Sequence, residues 1–439
     1  MADPFPQNTA QFGVHGVQEK RDWPCLTLDE VSAVLAHFAN MPPAQKVTWH
    51  SMRPFSAACV VQLAGEASAS HVSASASASA SASASASASA SASASANMGG
   101  QVVRATSCVL KRHARALRSA AMLEQEHAFI RHLASKGLPV CPALALHNGR
   151  TALELGNWTY EAFLPAKGQD TYRDVMSWKP YFSTAQAHAA GVVLAQLHKA
   201  AADDTAPERS ANVAGKTAPV VPLVSSMCVV GQADFMPALQ QWVARQPGLV
   251  AALANRPWQQ DVARVVVPFH ARLRPLLPGI KPAWGHGDWH PSNLFWHANT
   301  PVAVLDFGMA DRTCAAFDIA VAIERSMVDW LALPSCSVTA HPAPHMVEWD
   351  QLAAFVTGYQ HIRPLSAAER AQVVAFLPLV HVEFALSETA YFGTLLQDEA
   401  SAEVAYTAYL LGHAQWFAQA PEGQELLARL PALLAEQQR

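Results

Sequence analysis

Apolar residues recur along the chain with two different periods, and the period changes partway. In TLDEVSAVLAHF, Val31, Val34, Leu35 and Phe38 share one helical face, while Thr27 and Glu30 stand in capping-box spacing. Three strand-like runs follow, KVTWH, SAACVVQL and QVVRATSCVLKRH, the first two separated by SMRPF. The segment AAMLEQEHAFIRHLASKG returns to helical period, with Leu123, Phe129, Ile130 and Leu133 largely on one side and Gly137 as its C-cap. ALALHNGRTALEL then predicts a hairpin turning at Asn148-Gly149, and NWTYEAFLPA predicts a further strand. From Pro165 onward helical patterns dominate, including STAQAHAAGVVLAQLHKAA, which opens with Ser183 and Gln186 in capping-box spacing. The exception is PAWGHGDWHPSNLFWHANTPVAVLDFGMADR, where short β-like runs are broken by turns. The pattern predicts an α+β chain: a leader and helix over 1–45, a β-rich lobe over 46–164 and a mainly helical lobe over 165–439.

Inside the first lobe, Ser and Ala alternate without interruption from Ser73 to Ala96. Neither residue buries enough apolar surface to offset chain entropy, so the segment at about 66–98 reads as a disordered insertion. Composition narrows the function classes: 51% hydrophobic and 15% charged residues indicate a globular chain, and a net charge of -4 gives no basic face for nucleic acid. The seven scattered cysteines form no C-x-x-C pair, which fits thiols in a reducing compartment. The start lacks the basic and apolar regions of a secretory signal. The best apolar run, QVVAFLPLVHVEFAL, is broken by Pro378, His381 and Glu383 and falls short of the roughly 18 residues of a spanning helix. The expectation is a cytoplasmic protein without a membrane partner; oligomeric state stays open.

The chemistry concentrates in HGDWHPSNLFW, where His286, Asp288, His290 and Asn293 crowd together beside apolar residues, although unpaired polar groups are costly to bury. Asp288 and Asn293 match the kinase spacing D-x-x-x-x-N, and Asp306-Phe307-Gly308 follows the apolar run VAVL. Upstream, Lys111 closes the run SCVLK and Glu126 lies in the next helical segment, the order expected of a nucleotide-binding lysine and its orienting carboxylate. Three other readings remain. His286, Asp288 and His290 could bind a hydrolytic metal, but no further ligands complete the set. A non-catalytic nucleotide-binding module would typically lose residues that are all present here. An atypical Ser/Thr protein kinase would share the chemistry without the usual A-P-E segment.

HGDWHPSNLFW with VLDFGMADRTCAAFDIA resembles the aminoglycoside phosphotransferase family and its relatives, the choline, homoserine and methylthioribose kinases. VLKRH, LEQEHAFIRHLASKGLPV and LAQLHKAA extend the resemblance over roughly Lys46 to Phe417. It implies a protein-kinase-like two-lobed fold and an ATP- and Mg2+-dependent phosphotransferase acting on a hydroxyl of a small polar metabolite, an amino alcohol or an amino sugar. In that frame Asp288 is the catalytic base, Asn293 and Asp306 hold magnesium, and Lys111 contacts the phosphates and pairs with Glu126. His286, His290 and Asp318 brace the loop. SMRPF has no glycine-rich loop, so phosphates would meet its backbone or Ser51, Arg53 and Ser56, while adenine would dock near Glu161 and Phe163. In HVEFALSETAYF, His381 and Glu388 are candidates for the acceptor site, sharing a helical face that Glu383 leaves.

Overall fold

The computed structural model describes residues 21–64, 105–204, 206, 223–331 and 345–435; the Ser-Ala insertion and Cys336 lie outside them. Helix α1 (Leu28–Leu35) starts where Thr27, in extended conformation, accepts a hydrogen bond from the Glu30 N–H, and it buries Val31, Val34 and Leu35. Only half of the expected capping box is seen. The Glu30 carboxylate turns instead to Arg112 at 2.7 Å and to the Tyr160 hydroxyl at 2.9 Å, because a charged donor binds it more strongly than a backbone amide.

Five antiparallel strands form one sheet in the order β1-β2-β3-β5-β4: β1 (Ala44–His50), β2 (Ala57–Leu63), β3 (Ser107–Ala114), β4 (Leu153–Leu155) and β5 (Trp158–Phe163). Alternation sorts their side chains into two faces. Cys108, Leu110, Tyr160 and Ala162 pack with α1, whereas Lys111, His113 and Glu161 meet on the other face. The hairpin falls one turn later than the sequence predicts. Asn148-Gly149 does make a turn, with the Arg150 N–H bonded to the Asn148 side chain, but the paired strands are β4 and β5, which join through Gly156-Asn157. Gly156 sits at φ +58°, in the left-handed region that the first position of a two-residue hairpin requires.

Helix α2 (Ala120–Ser135) is capped by the Ser119 side chain and ends at Gly137, whose φ of +83° fits its expected place at the C-terminus. Beyond β5 the chain becomes mostly helical. Helix α3 (Thr184–Ala200) starts on the Ser183 cap and packs along the helix Trp349–Ile362. Two small ribbons interrupt the helices, β6 (Ala283–Gly285) with β9 (Asp311–Thr313) and β7 (Leu294–His297) with β8 (Thr300–Val304). The molecule is thus an α+β structure with a sheet-based lobe and a helical lobe. There are two main cores: one lies between α1 and the sheet, and the larger fills the helical lobe and takes in Phe129, Ile130 and Leu133 of α2. Among the described residues no helix is long and apolar enough to cross a membrane.

Candidate active site between the lobes

The loop after β6 is held by one buried carboxylate. Asp318, from the helix Ala315–Ser326, accepts from the backbone N–H of His286 at 2.7 Å and of Gly287 at 2.8 Å, and from His198 Nε2 at 2.9 Å. Burial opposes its charge, but these donors and the neighbouring His286 outweigh burial and keep its pKa below the usual carboxylate value. Gly287 has φ +72°, and a Cβ there would run into the Met309 carbonyl, so glycine is required at this turn. His286 uses both ring nitrogens, donating from Nε2 to the Leu305 carbonyl at 2.9 Å and accepting the Asp288 N–H on Nδ1 at 3.2 Å.

Asp288 is therefore fixed from below, and its side chain is held from three directions. Asn293 Nδ2 donates to its carbonyl at 2.9 Å and to Oδ2 at 3.1 Å. His290 Nε2 lies 3.4 Å from Oδ1, while its Nδ1 is 2.8 Å from Ser292 Oγ. The third partner is Arg325, whose Nη1 bonds Oδ1 directly. Burial would raise the Asp288 pKa, yet Arg325 and His290 hold it well below the carboxylate range; for His290 itself burial wins and the ring stays less basic than a free histidine.

Asp306 follows β8 in the left-handed conformation, φ +55°, with its side chain half exposed. Lys111 reaches it from β3 across the lobe boundary, Nζ to Oδ1 at 3.3 Å. The other close carboxylate at Lys111 is Glu161, its cross-strand partner on β5, at 3.9 Å. This corrects the expected Lys111–Glu126 pair. Glu126 takes Arg118 Nη1 at 3.1 Å, and Arg118 Nη2 donates to the Gly308 carbonyl at 2.5 Å, so Glu126 is tied to the segment after Asp306 and acts on Lys111 through its charge. Burial lowers the Lys111 pKa, but Asp306, Glu161 and Glu126 more than reverse it. Burial also opposes the charge on Glu161, and His113 at 2.9 Å and His127 at 2.6 Å overcome it, leaving the carboxyl well below its ordinary value. The Glu161 side chain is thus committed to the inside of the sheet lobe, while Phe163, partly buried, ends β5 with its ring edge-on to His127 at 5.9 Å.

Arg53 bridges the lobes: Nη1 donates to Ser177 Oγ at 2.5 Å and Nη2 to the Tyr172 carbonyl at 3.1 Å, while its own N–H bonds Ser51 Oγ at 3.0 Å. Burial lowers its pKa against the pull of nearby aspartates that include Asp306 and Asp288. Ser56 is half-buried just before β2. Phe55 between them packs on Tyr391 and Phe384, with ring centroids 5.0 and 6.0 Å apart. Its N–H donates to Asp22 Oδ2 at 3.0 Å, and the same oxygen accepts the Tyr391 hydroxyl at 2.8 Å.

The two acceptor candidates are both buried but differ in setting. His381 precedes the helix Val382–Ala390, donates from Nε2 to the Leu410 carbonyl at 3.1 Å and packs on Tyr409 and His413; burial takes its pKa down to about 4. Glu388 feels the charges of Arg325 and Asp288, and burial pushes its pKa up to about 8. Glu383 is held elsewhere, by the N–H groups of Val229 and Val230 at 2.7 and 3.0 Å. Arg325, Arg118 and Asp22 were not anticipated. Only Arg325 left a trace in the sequence, since Glu324-Arg325 interrupts an otherwise apolar helical run, where charges are rare unless paired.

Residues 99–355 match the family described as the phosphotransferase enzyme family. A homoserine kinase of Phenylobacterium zucineum is 31% identical over 189 residues, covering 43% of this chain and 46% of that relative, so the match spans about half the relative's length. Among solved structures, a spectinomycin phosphotransferase in complex with ADP and spectinomycin is 10% identical, with 94% of this chain and 100% of that one covered at a TM-score of 0.47. An aminoglycoside phosphotransferase from Alicyclobacillus acidocaldarius is 15% identical, with 75% and 87% covered at a TM-score of 0.42.

Proposed function

Because this chain belongs to the phosphotransferase enzyme family, we propose that it moves the γ-phosphoryl group of ATP, with Mg2+, to a hydroxyl of a small polar metabolite such as an amino alcohol or amino sugar. The observation that carries the reading is the convergence of Lys111, Asp306, Asn293 and Asp288 on one cleft, with Lys111 crossing from the sheet lobe to stand 3.3 Å from Asp306.

The donor set suits magnesium. Asn293 spends its amide nitrogen on Asp288, which leaves Oδ1 for a metal, and Asp306 offers a half-exposed carboxylate; hard oxygen ligands of this kind fit Mg2+. Asp306 and Asp288 also repel each other, a conflict that a cation relieves. Bound there, the ion would neutralise phosphate charge. Lys111, kept cationic by its carboxylates, would take the α/β-phosphates, and Arg53 would add positive charge over the same cleft. Adenine would use backbone groups from Glu161 to Phe163, since the Glu161 side chain is occupied. Asp288 would orient the acceptor hydroxyl and receive its proton late, because Arg325 makes it a weak base and phosphoryl transfer needs positioning more than basicity. His286, His290 and Asp318 support that loop. In this reading residues 46–164 form the nucleotide lobe, residues 165–439 the acceptor lobe, and the enzyme works in the cytoplasm.

Thermal unfolding with and without Mg-ATP tests the proposal. At 100 times its dissociation constant the ligand should add about 2.7 kcal/mol to the folded state, and Asp306→Ala should abolish the metal-dependent part. Absence of any shift in folded protein would overturn the reading.

A further inference from the structure

A buried arginine ties the sheet lobe to the turn that carries Asp306. Arg118 stands between β3 and α2, and its main chain is fixed on two sides. Its N–H bonds the Ala114 carbonyl at the end of β3 at 3.1 Å, and its carbonyl accepts the Thr159 hydroxyl from β5 at 2.7 Å. The side chain is only 6% exposed and uses both arms of its fork. Nη1 holds Glu126 Oε2 of α2 at 3.1 Å, and Nη2 donates to the Gly308 carbonyl at 2.5 Å. A planar guanidinium bonded at both arms has a fixed direction, which an ammonium on a flexible stem lacks.

Three further features converge on the same turn. Asp306 holds a left-handed conformation, φ +55°, which a residue with a side chain keeps only where its surroundings impose it. Phe307 meets Phe129 of α2 edge-on, with ring centroids 5.9 Å apart, so α2 grips the turn by an apolar contact as well as a polar one. Gly308 has no room for a side chain: a Cβ there would stand 2.5 Å from Arg118 Nη2 and 3.2 Å from Asp306 Oδ1. Gly308 is not among the described residues with positive φ, so the approach of Arg118, and not backbone freedom, calls for glycine here. Charge acts in the same sense. Burial opposes the ionised form of Asp306, while Lys111 and Arg118 sustain it.

We propose that Arg118 is the positioning residue for Asp306: it fixes the Phe307-Gly308 turn so that the Asp306 carboxylate stands ready for a divalent cation, and Glu126 orients Arg118 instead of Lys111. This rests on the phosphotransferase reading and deepens it. In that reaction Lys111, now 3.3 Å from Asp306 Oδ1, turns to the phosphates as the carboxylate takes the metal. Arg118 is bonded to the turn and not to the carboxylate, so it stays in place while Lys111 moves. Helix α2 thus serves the metal side of the site through Arg118 and Phe129, and reaches Lys111 only through the charge of Glu126. Outer partners that orient a metal ligand typically govern about 10- to 100-fold of metal affinity.

The experiment compares the full chain with its Arg118→Gln, Arg118→Lys and Gly308→Ala variants. ADP is titrated by calorimetry in EDTA, and the unfolding temperature is then followed against free Mg2+ at saturating ADP. Arg118→Gln should raise the Mg2+ concentration at half-maximal shift about tenfold or more, while metal-free ADP affinity stays within about twofold of wild type. Arg118→Lys keeps a cation beside Glu126 but loses the fork, so it should still raise that concentration about threefold or more, and it carries the test if the glutamine variant does not fold. Gly308→Ala should reproduce the defect alone and add little to it in an Arg118 variant, because both changes act on one contact. Wild-type Mg2+ dependence in either folded Arg118 variant would overturn the proposal. So would a parallel loss of metal-free ADP binding, which marks a general disturbance of the sheet lobe, or full additivity with Gly308→Ala. If the wild-type chain shows a Mg2+-dependent shift in those cases, the phosphotransferase reading survives; if it shows none, both fall.

Discussion

The loop around Asp288 and the buried cluster behind it are made of the same kinds of side chain, and they touch through the Asp288–Arg325 pair. In the loop the polar groups are used: Asp318 receives three donors, His286 spends both ring nitrogens, and Asn293 is fixed to Asp288. In the cluster Arg325, Glu388, Glu324, His381 and Tyr409 each keep an atom without a hydrogen bond. A saturated network costs nothing to reorganise when phosphate charge shifts, which is what electrostatic catalysis needs. An unsaturated one leaves interaction energy to be realised by a ligand, which is what selectivity needs.

The sharpest way to break this contrast is Asp288→Asn, which should lower turnover about 1,000-fold while Mg-ATP still raises the unfolding temperature. Turnover near wild type would remove the loop from the chemistry. Asp318→Asn comes next: an amide cannot accept all three donors, so denaturant titration should show about 3 kcal/mol of lost stability together with slower turnover. A smaller effect separates the two carboxylates near Lys111. Glu161→Gln should weaken Mg-ATP binding about tenfold by calorimetry, roughly 1.4 kcal/mol, and more than Glu126→Gln does. The reverse order would restore Glu126 as the orienting group.

For the buried cluster, pH supplies the test. Burial raises the Glu388 pKa from 4.5 to about 8, so between those values the folded chain keeps a proton that the unfolded chain has released. Stability contributed at this position therefore falls as pH rises through that window. Glu388→Gln lacks the proton, and its stability relative to wild type should improve by about 1 kcal/mol or more from pH 5 to pH 8 in parallel thermal melts. A pH-independent difference would mean that Glu388 is solvated. The smallest change lies away from both regions: Thr27→Ala, which removes the cap of α1, should cost about 1 kcal/mol and leave acceptor kinetics unchanged.

Much of the loop was legible because its parts are close in sequence. His286 to Asn293 is one short segment, and Asp306 ends the adjoining ribbon, so spacing alone brought these residues together. Helix starts at Thr27 and Ser183 were equally local. What stayed hidden depends on pairing across the fold. The β3–β5 register sets Glu161 opposite Lys111 from fifty residues away, and no periodicity in either strand announces it. The diversion of Glu30 to Arg112 and the shift of the hairpin from Asn148-Gly149 to Gly156-Asn157 have the same origin. His381 and Glu388 share a face on an ideal helix, but His381 sits before the first turn, where its ring swings back to the Leu410 carbonyl.

The shared oxygen of Asp22 bears on how the molecule is made. Its two donors, Phe55 and Tyr391, belong to different lobes, and Tyr391 lies 369 residues along the chain from Asp22. At roughly 5–20 residues per second, a ribosome would need on the order of 20–70 s to supply that second donor after the first part has emerged. Meanwhile α1 and the sheet have their own core, built around Val31, Leu35, Val61 and Leu110 without help from the helical lobe. The Asp22–Tyr391 bond can therefore form only late in translation, and the hydroxyl of Tyr391 fastens the lobes together when synthesis is nearly done.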